Sequence, residues 1–222
     1  MKYTDQERAA EAVAVLKKRY PAAECALRWQ GDPWRLLVMA ILSAQCTDAR
    51  VNLVSETLFA HYPDAASLAA APAAAIENEI RPCGFYHTKA ASLRATAILL
   101  LEDYGGTVPS DMDALLTLPG VGRKIANLIR GDVFGLPGIV ADTHCIRLSG
   151  RLGFVPAAEK NPQKVERALT AVIPPEEQSD FCHRLVMFGR EICSARSPRC
   201  GECPFRDTLC AIKAENHPDE KR

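Results

Sequence analysis

The spacing of apolar residues along this 222-residue chain predicts helices almost throughout. Residues 5–19 form an alanine-rich amphipathic pattern that ends before Pro21, and a second apolar run begins directly after Pro33. The first pattern is typical of a surface helix with one apolar face, whereas the second is apolar on all sides and predicts a core helix. Pro33 fits the first position of that helix, where its missing N–H costs no hydrogen bond.

The helical pattern continues after a polar interruption at residues 43–48, which places Gln45 on a loop between two helices. Thr47 or Asp48 is a suitable cap for the following helix, which runs through Phe59. No segment shows the alternation that a half-buried strand requires. We therefore predict an all-α protein, with further helices at residues 67–80, 87–104, 110–116, 161–173 and 175–192.

The central stretch LPGVGRKIANLIRGDVF contains a tight turn at Pro119, Gly120 and Gly122, followed by the periodic pattern of a helix. Unpaired N–H groups and the positive end of the helix dipole favour an anion at such a helix start. The two glycines allow a DNA phosphate to approach the main chain closely. The alternative is an ordinary turn between helices, because short glycine motifs recur by chance.

Lys124, at the start of that helix, and Asp142, beyond its end, are the candidate catalytic residues. Lys124 falls in its first turn, where the helix dipole disfavours a cation, so a role other than helix stability is indicated. A lysine amine can attack carbon and form a Schiff base when its surroundings assist. Asp142 precedes another helical pattern and reads as a helix cap, a position from which it can also face a cleft.

Composition adds limits rather than a function. The chain has 27 Lys and Arg against 27 Asp and Glu, so any nucleic-acid contact must come from a local basic patch. With 48% hydrophobic residues it can bury one large core or two modest ones, and we expect two lobes. No apolar run is long enough to span a bilayer and no signal sequence begins the chain, so we expect a soluble, cytoplasmic protein.

Nine cysteines, an odd number, argue against a disulfide framework. Cys193, Cys200, Cys203 and Cys210 follow the pattern C-x6-C-x2-C-x6-C, and four such thiolates suit zinc or a [4Fe-4S] cluster. Structural zinc loops usually have two close cysteine pairs, whereas only one pair is close here, which favours the cluster. The loop also contains or adjoins basic residues that form either a DNA-binding surface or a solvated face: Arg190, Arg196, Arg199, Arg206 and Lys213.

Several motifs together resemble the endonuclease III family of helix-hairpin-helix DNA glycosylases: LPGVGRK at 118–124, VADTH at 140–144, ILSAQCTD at 41–48 and the four-cysteine loop. The resemblance implies a two-lobed helix-hairpin-helix glycosylase fold with a C-terminal iron–sulfur cluster loop. It implies a six-helix barrel domain at 26–136 and a cluster-containing helical domain formed by 1–25 and 137–222. Lys124 would come from the barrel side of the DNA-binding cleft and Asp142 from the cluster side.

The chain departs from the family pattern at a few positions. Its last cysteine spacing is x6 where many relatives have x5, Ile125 replaces a usual threonine, and Phe85 stands where leucine is common. None of these positions is among the candidate catalytic residues or cluster ligands.

The resemblance implies a bifunctional DNA glycosylase/AP lyase of base excision repair. Such an enzyme extrudes the damaged nucleotide from the duplex before it reacts. Oxidised pyrimidines such as thymine glycol are the implied substrates. Lys124 would attack C1′ of the sugar and form a Schiff base that permits β-elimination. Asp142 would stabilise the cationic sugar or take the proton that frees the amine.

The implied DNA contacts lie on both domains. Gln45 and Phe85 match positions that fill the gap left by the extruded nucleotide; otherwise Gln45 is a solvated loop residue and Phe85 a core residue. The full set of expected DNA-binding residues is Gln45, Phe85, Gly120, Gly122, His144, Arg147, Arg196 and Arg199.

The expected partner is double-stranded DNA with a damaged base or an abasic site. We expect a monomer that contacts no membrane and acts in a bacterial cytoplasm at the nucleoid. Two other classes remain: a monofunctional mismatch glycosylase of the same fold, which typically lacks the lysine seen here at Lys124, and a non-catalytic DNA-binding module. The presence of both Lys124 and Asp142 argues against the non-catalytic module.

Overall fold

The computed structural model describes residues 3–211, and within them every regular element is helical, which confirms the predicted all-α fold. The chain divides into two compact units, Cys25–Phe134 and the paired segments Met1–Glu24 and Gly135–Arg222. Boundaries at 26 and 136 were implied by the resemblance. Lys213, one of the basic residues near the cluster cysteines, lies outside the described residues.

The described part of the chain contains helices of six to nineteen residues. Short 3₁₀ helices occur at Arg81–Cys83, Pro175–Glu177 and Cys200–Glu202. The α-helices are α1 Asp5–Arg19, α2 Pro33–Leu42, α3 Asp48–His61, α4 Ala65–Ala70, α5 Ala73–Ile80, α6 Tyr86–Tyr104, α7 Met112–Thr117, α8 Arg123–Phe134, α9 Thr143–Arg151, α10 Pro162–Thr170 and α11 Gln178–Glu191.

Two predicted helices are interrupted in the structure. The single helix predicted at residues 67–80 is wrong, because α4 ends at Ala70 and α5 begins at Ala73. Pro72 is the cause: it restricts the preceding Ala71 to extended backbone, observed at φ −68° and ψ 142°. The segment predicted as one helix from residue 175 begins with a separate 3₁₀ turn at Pro175–Glu177.

Helix α2 is the centre of the unit Cys25–Phe134. Every residue from Leu36 to Leu42 is buried, and α2 packs against α3, α6 and α8. Helices on several sides explain why its sequence is apolar all round. Pro33 occupies the first helical position, and Asp32 caps the helix through the Trp34 N–H at 2.9 Å.

The other unit is built on α11, which packs against α1 and α9. Phe181 and Phe188 of α11 are fully buried, and the Phe188 ring meets Phe205 edge-on with ring centroids 5.3 Å apart. This contact anchors the cysteine loop to α11 through an aromatic pair. None of the helices within residues 3–211 has the length and apolar character needed to cross a membrane.

Candidate active site and metal centre

Helices α7 and α8 form a hairpin, and α6 packs against the turn between them. Gly120 has φ +83°, and a Cβ added there would lie 3.1 Å from the Ser92 Cβ on α6. The Thr96 hydroxyl, also on α6, donates to the Pro119 carbonyl oxygen at 2.8 Å. Gly120 is therefore required by backbone conformation and internal packing.

Gly122 lies in different surroundings, because a Cβ added at this position would meet no atom within 4 Å. Its carbonyl oxygen accepts the Ala126 N–H at 2.9 Å, so Gly122 directly precedes the first residue of α8. The first N–H groups of a helix have no intrahelical acceptor. This end of α8 consequently offers main-chain donors beside an open surface that an anion can approach.

Lys124 is exposed in the first turn of α8, two residues beyond Gly122. Its position opposes the helix dipole, as the sequence indicated. Lys124 belongs to the unit Cys25–Phe134, whereas Asp142 belongs to the other unit.

Asp142 caps helix α9, as predicted. Its Oδ1 accepts the Cys145 N–H at 2.7 Å, and its Oδ2 lies 3.5 Å from the Nδ1 of His144. The side chain is only 18% exposed. The two carboxylate oxygens thus have different surroundings: one completes the helix start, and the other is beside an imidazole that can orient it or share a proton with it.

Gly189 on α11 allows close contact with α9, a feature that the sequence analysis missed. A Cβ there would lie 2.7 Å from His144 Cδ2 and 2.8 Å from Arg147 Nη2. Any larger residue would displace these two side chains. An isolated glycine inside a helical pattern was the available signal, since such glycines often have a packing reason.

Arg147 and Arg151 of α9 hold the start of the cysteine loop. Arg147 Nη2 donates to the Gly189 and Cys193 carbonyl oxygens at 3.3 and 3.2 Å, and burial, followed by the nearby Arg151 charge, lowers its pKa. Arg151 Nη1 lies 3.1 Å from Cys193 Sγ and 2.7 Å from the Ser194 carbonyl oxygen. The structure thus shows internal contacts for Arg147, whose predicted DNA contact stays a prediction, and Arg151 was not anticipated.

The four C-terminal cysteines lie on one loop after α11, and within the described residues they form no disulfide bond. Burial raises the pKa of Cys203, as do the nearby Cys193 and Cys210 thiols, while N–H groups of Phe205 and Arg206 lower it. The effect of Cys193 and Cys210 on Cys203 indicates that their sulfurs lie near the Cys203 sulfur. A metal centre that binds thiolates stabilises such a group. Backbone N–H groups directed at sulfur are a further means of tuning iron–sulfur centres.

In a [4Fe-4S] cluster each cysteine binds a different iron atom, so the four sulfurs surround a larger centre than one zinc ion. The thiol loop, with its Arg151 and backbone donors, therefore fits the cluster.

Arg199 closes the C-terminal end of α11. Its Nε donates to the Glu191 carbonyl oxygen at 2.8 Å, and its Nη1 lies 3.0 Å from a Glu202 carboxylate oxygen. Arg196 is exposed on the same loop. Both residues stay predictions as DNA contacts.

Gln45 and Phe85 are both exposed and both have left-handed backbone, at φ 51° and 47°. Phe85 is 65% exposed, so the alternative interpretation of this ring as a core residue is wrong. Gln45 lies on the loop between α2 and α3, as predicted. Left-handed backbone is uncommon for residues with side chains and is found preferentially at functional sites.

Residues 38–175 match the family described as "HhH-GPD superfamily base excision DNA repair protein", and residues 193–210 match the "Iron-sulfur binding domain of endonuclease III". The fold and site thus define a helix-hairpin-helix base excision repair protein with an iron–sulfur loop. Endonuclease III of Synechocystis is 45% identical, with 89% of this chain and 90% of the relative covered. Endonuclease III of Escherichia coli K12 is 38% identical, with 91% and 94% covered.

Solved structures of endonuclease III and of a related glycosylase are similar to this chain. "Structure of a Trapped Endonuclease III-DNA Covalent Intermediate: Estranged-Adenine Complex" has a TM-score of 0.88 at 40% identity and covers 95% of this chain and 97% of that chain. A thermostable thymine-DNA glycosylase, at 24% identity, TM-score 0.84 and coverage of 92% and 96%, shares the fold. The chain belongs to the endonuclease III family. It is a DNA glycosylase with AP lyase activity and carries a [4Fe-4S] cluster.

Proposed function

We propose that this enzyme removes oxidised pyrimidines from duplex DNA and cleaves the strand through a Schiff base on Lys124. The observation that carries this proposal is the exposed Lys124 amine in the first turn of α8, beside the open main chain at Gly122. A phosphate bound at Gly122 would hold the damaged strand within reach of that turn. The covalent DNA intermediate named for a 40% identical endonuclease III supports the same chemistry.

Lys124 begins the reaction at the sugar. Its amine attacks C1′ as the damaged base departs with the electrons of the glycosidic bond. One amine proton passes to the departing base, and the other passes to the ring oxygen O4′ as the C1′–O4′ bond breaks and the sugar opens to give an imine. Loss of a C2′ proton then expels the 3′ phosphate, which breaks the strand. Base removal and strand cleavage share one intermediate.

Asp142 contributes its second carboxylate oxygen. Because Oδ1 is bonded to the Cys145 N–H, the carboxylate is fixed in orientation, with Oδ2 beside His144. A fixed negative charge would stabilise the sugar cation as the base leaves, or would accept the proton released by Lys124. Either role requires ionised Asp142.

The DNA contacts divide by purpose. Gly120 shapes the hairpin turn while Gly122 admits a phosphate, and Gln45 and Phe85 enter the duplex where the nucleotide has been extruded. His144, Arg147, Arg196 and Arg199 complete the proposed set. The partner is duplex DNA with a damaged base or an abasic site, bound by a monomer in the bacterial cytoplasm at the nucleoid.

Cys193, Cys200, Cys203 and Cys210 are the proposed cluster ligands. Four thiolates leave the cluster no open coordination position, so when bound it orders the loop rather than binding substrate. Arg151 supports this arrangement through its contacts with Cys193 Sγ and the Ser194 carbonyl oxygen. The ordered loop carries Arg196 and Arg199 to the DNA backbone.

A lesion panel under single-turnover conditions tests the proposal. Wild type, Lys124→Arg and Arg123→Ala are each incubated with duplexes that carry one of five substrates, and the processing rates are compared. The substrates are thymine glycol, dihydrouracil, 8-oxoguanine, a G·T mismatch and an abasic site. We expect rapid processing of the oxidised pyrimidines, loss of all turnover in Lys124→Arg, and retention of chemistry in Arg123→Ala, which removes a neighbouring charge but no amine. Preference for the mismatch, with full activity in Lys124→Arg, would instead identify a monofunctional mismatch glycosylase.

A further inference from the structure

Lys89 is a buried cation in the first turn of α6, only 5% exposed. Its ammonium nitrogen donates to two backbone carbonyl oxygens, that of Leu42 at 2.9 Å and that of Cys83 at 2.8 Å. A buried ammonium group needs such acceptors, because unpaired burial of a charge is strongly unfavourable. No sequence motif marks this residue.

The two carbonyl groups belong to the segments that lead into the proposed DNA-inserting residues. Leu42 is the last residue of α2 and is followed by residues 43–47, which contain Gln45. Cys83 ends the 3₁₀ helix Arg81–Cys83 and is followed by Gly84 and Phe85. We call residues 43–47 and 84–85 the two insertion loops.

The backbone hydrogen bonds just after α2 are made to oxygens other than that of Leu42, the oxygen to which Lys89 donates. The Ser43 N–H donates hydrogen bonds to the Met39 and Ala40 oxygens at 2.9 and 3.3 Å, and the Cys46 N–H donates to the Ser43 oxygen at 3.1 Å. A cation at the C-terminal end of a helix also interacts favourably with the helix dipole. Lys89 therefore completes the end of α2 from a different helix.

The insertion loops contain two of the non-glycine residues with positive φ described in residues 3–211, Gln45 at 51° and Phe85 at 47°. Such conformations persist only when their surroundings impose them. The Cys46 thiol of the first insertion loop contacts the thiol of Cys83, the residue just before the second loop. Burial, followed by this Cys46 thiol, raises the pKa of Cys83 to about 11.

We propose that Lys89 is a positioning residue that sets the spacing of the two insertion loops, so that Gln45 and Phe85 enter the duplex together. This inference rests on the proposed gap-filling role of those two residues. Lys89 itself contacts two backbone carbonyls and acts on DNA through the loops. Its removal should impair extrusion of a paired nucleotide and spare the chemistry on a nucleotide that is already unstacked.

The test compares two substrates with the cluster-loaded enzyme: thymine glycol opposite adenine, and thymine glycol opposite an abasic site, where little stacking opposes extrusion. The measured quantity is the rate ratio, which is the single-turnover excision rate of the lesion opposite adenine divided by that of the lesion opposite the abasic site. Lys89→Met keeps the apolar stem and removes the donors. We expect it to slow excision of the paired lesion at least about tenfold and to change the unpaired rate less than about twofold.

Asn52→Ala is the matched control. Asn52 also bonds two backbone groups within the same unit, the Arg28 N–H and the Ala26 carbonyl oxygen, both at 2.9 Å. It should lower thermal stability and leave the rate ratio unchanged. A fall in the ratio for Asn52→Ala as large as that for Lys89→Met would overturn the inference, because general destabilisation would then explain both.

Phe85→Ala and Gln45→Ala separate the inference from the proposed function. If neither changes the rate ratio, the gap-filling role fails and the inference falls with it. If they lower the ratio and Lys89→Met does not, the inference alone is wrong. In a Phe85→Ala background we expect Lys89→Met to have little further effect, because both act on one step; additive losses would contradict positioning.

Lys89→Gln keeps the test usable if Lys89→Met fails to fold. The shorter amide can bond only one of the two carbonyl oxygens, so we expect a ratio clearly below that of wild type, with faster hydrogen exchange in residues 43–47 and 84–86. A wild-type ratio in Lys89→Gln despite the faster exchange would overturn the inference.

Discussion

Replacing each hairpin glycine with alanine should separate folding from DNA binding. At Gly120 an alanine must adopt φ +83° and place its Cβ 3.1 Å from the Ser92 Cβ and 3.4 Å from Ile41 Cγ2. The left-handed backbone costs about 1–2 kcal/mol. Overpacking against a helix that cannot easily move adds about 1–3 kcal/mol. Gly120→Ala should therefore unfold at a temperature lower by roughly 5–15 °C.

At Gly122 the same substitution meets open space and no positive φ. Alanine is a poorer helix cap than glycine, which lowers the free energy of unfolding by up to about 1 kcal/mol. Alanine also makes the unfolded chain less flexible, which raises the free energy of unfolding by about 0.4–1 kcal/mol. These effects offset each other, so stability should change by less than about 1 kcal/mol. DNA affinity should nevertheless fall about tenfold, because the methyl group holds a phosphate away from the N–H groups.

Circular dichroism melting and fluorescence anisotropy with a duplex carrying an uncleavable abasic analogue measure the two effects. No charge is removed by Gly122→Ala, so the slope of log affinity against log salt should stay unchanged while the curve shifts as a whole. Wild-type affinity in a stable Gly122→Ala protein would refute the reasoning. The hairpin turn would then be a structural connection only.

Three further substitutions probe other parts of the account. Asp142→Asn keeps the hydrogen bond to the Cys145 N–H, so the melting temperature should change little while excision slows by roughly 10²–10⁴-fold. A lower melting temperature together with a wild-type excision rate would show that Asp142 is only a helix cap. Arg199→Ala should weaken binding to damaged and undamaged duplex alike and lower the salt slope by about one, as measured by anisotropy; unchanged binding would confine Arg199 to its bond with the α11 terminus. Burial raises the pKa of Glu177, but hydrogen bonds from Lys17 and Arg184 outweigh it and bring the pKa below its ordinary 4.5. The stabilisation is present above pH 4.5 and is lost as the pH falls through the lowered pKa. Glu177→Gln should therefore have a lower melting temperature than wild type at pH 7 and the same melting temperature in strong acid. A difference in melting temperature that does not change with pH would contradict the pairing.

Local features were predictable from the sequence. Asp142 was predicted as a helix cap, and Thr47 or Asp48 as the cap of α3, of which the structure shows Thr47. A cap accepts hydrogen bonds from N–H groups only two or three residues ahead, so the signal is local. Pro33 marked the start of α2 for a similarly local reason. The break at Pro72 was also local, and its effect on the preceding residue was available but not applied.

Contacts between distant segments could not be predicted in this way. Lys89 bonds the Leu42 oxygen across 47 positions, and no periodicity or spacing distinguishes it from an exposed lysine. Arg151 reaches Cys193 across 42 positions. Such side chains select backbone carbonyls, which every residue offers, so their partners become visible only when the helices are packed.

The central claim, that the Lys124 amine forms the covalent bond to DNA, is tested most directly by borohydride trapping. The cluster-loaded enzyme is incubated with a duplex containing an abasic site, reduced with sodium borohydride and digested, and the peptide joined to DNA is identified by mass spectrometry. We expect one adduct at Lys124, absent from Lys124→Arg even though that variant still binds the duplex. An adduct on another amine, or undiminished trapping in Lys124→Arg, would contradict it.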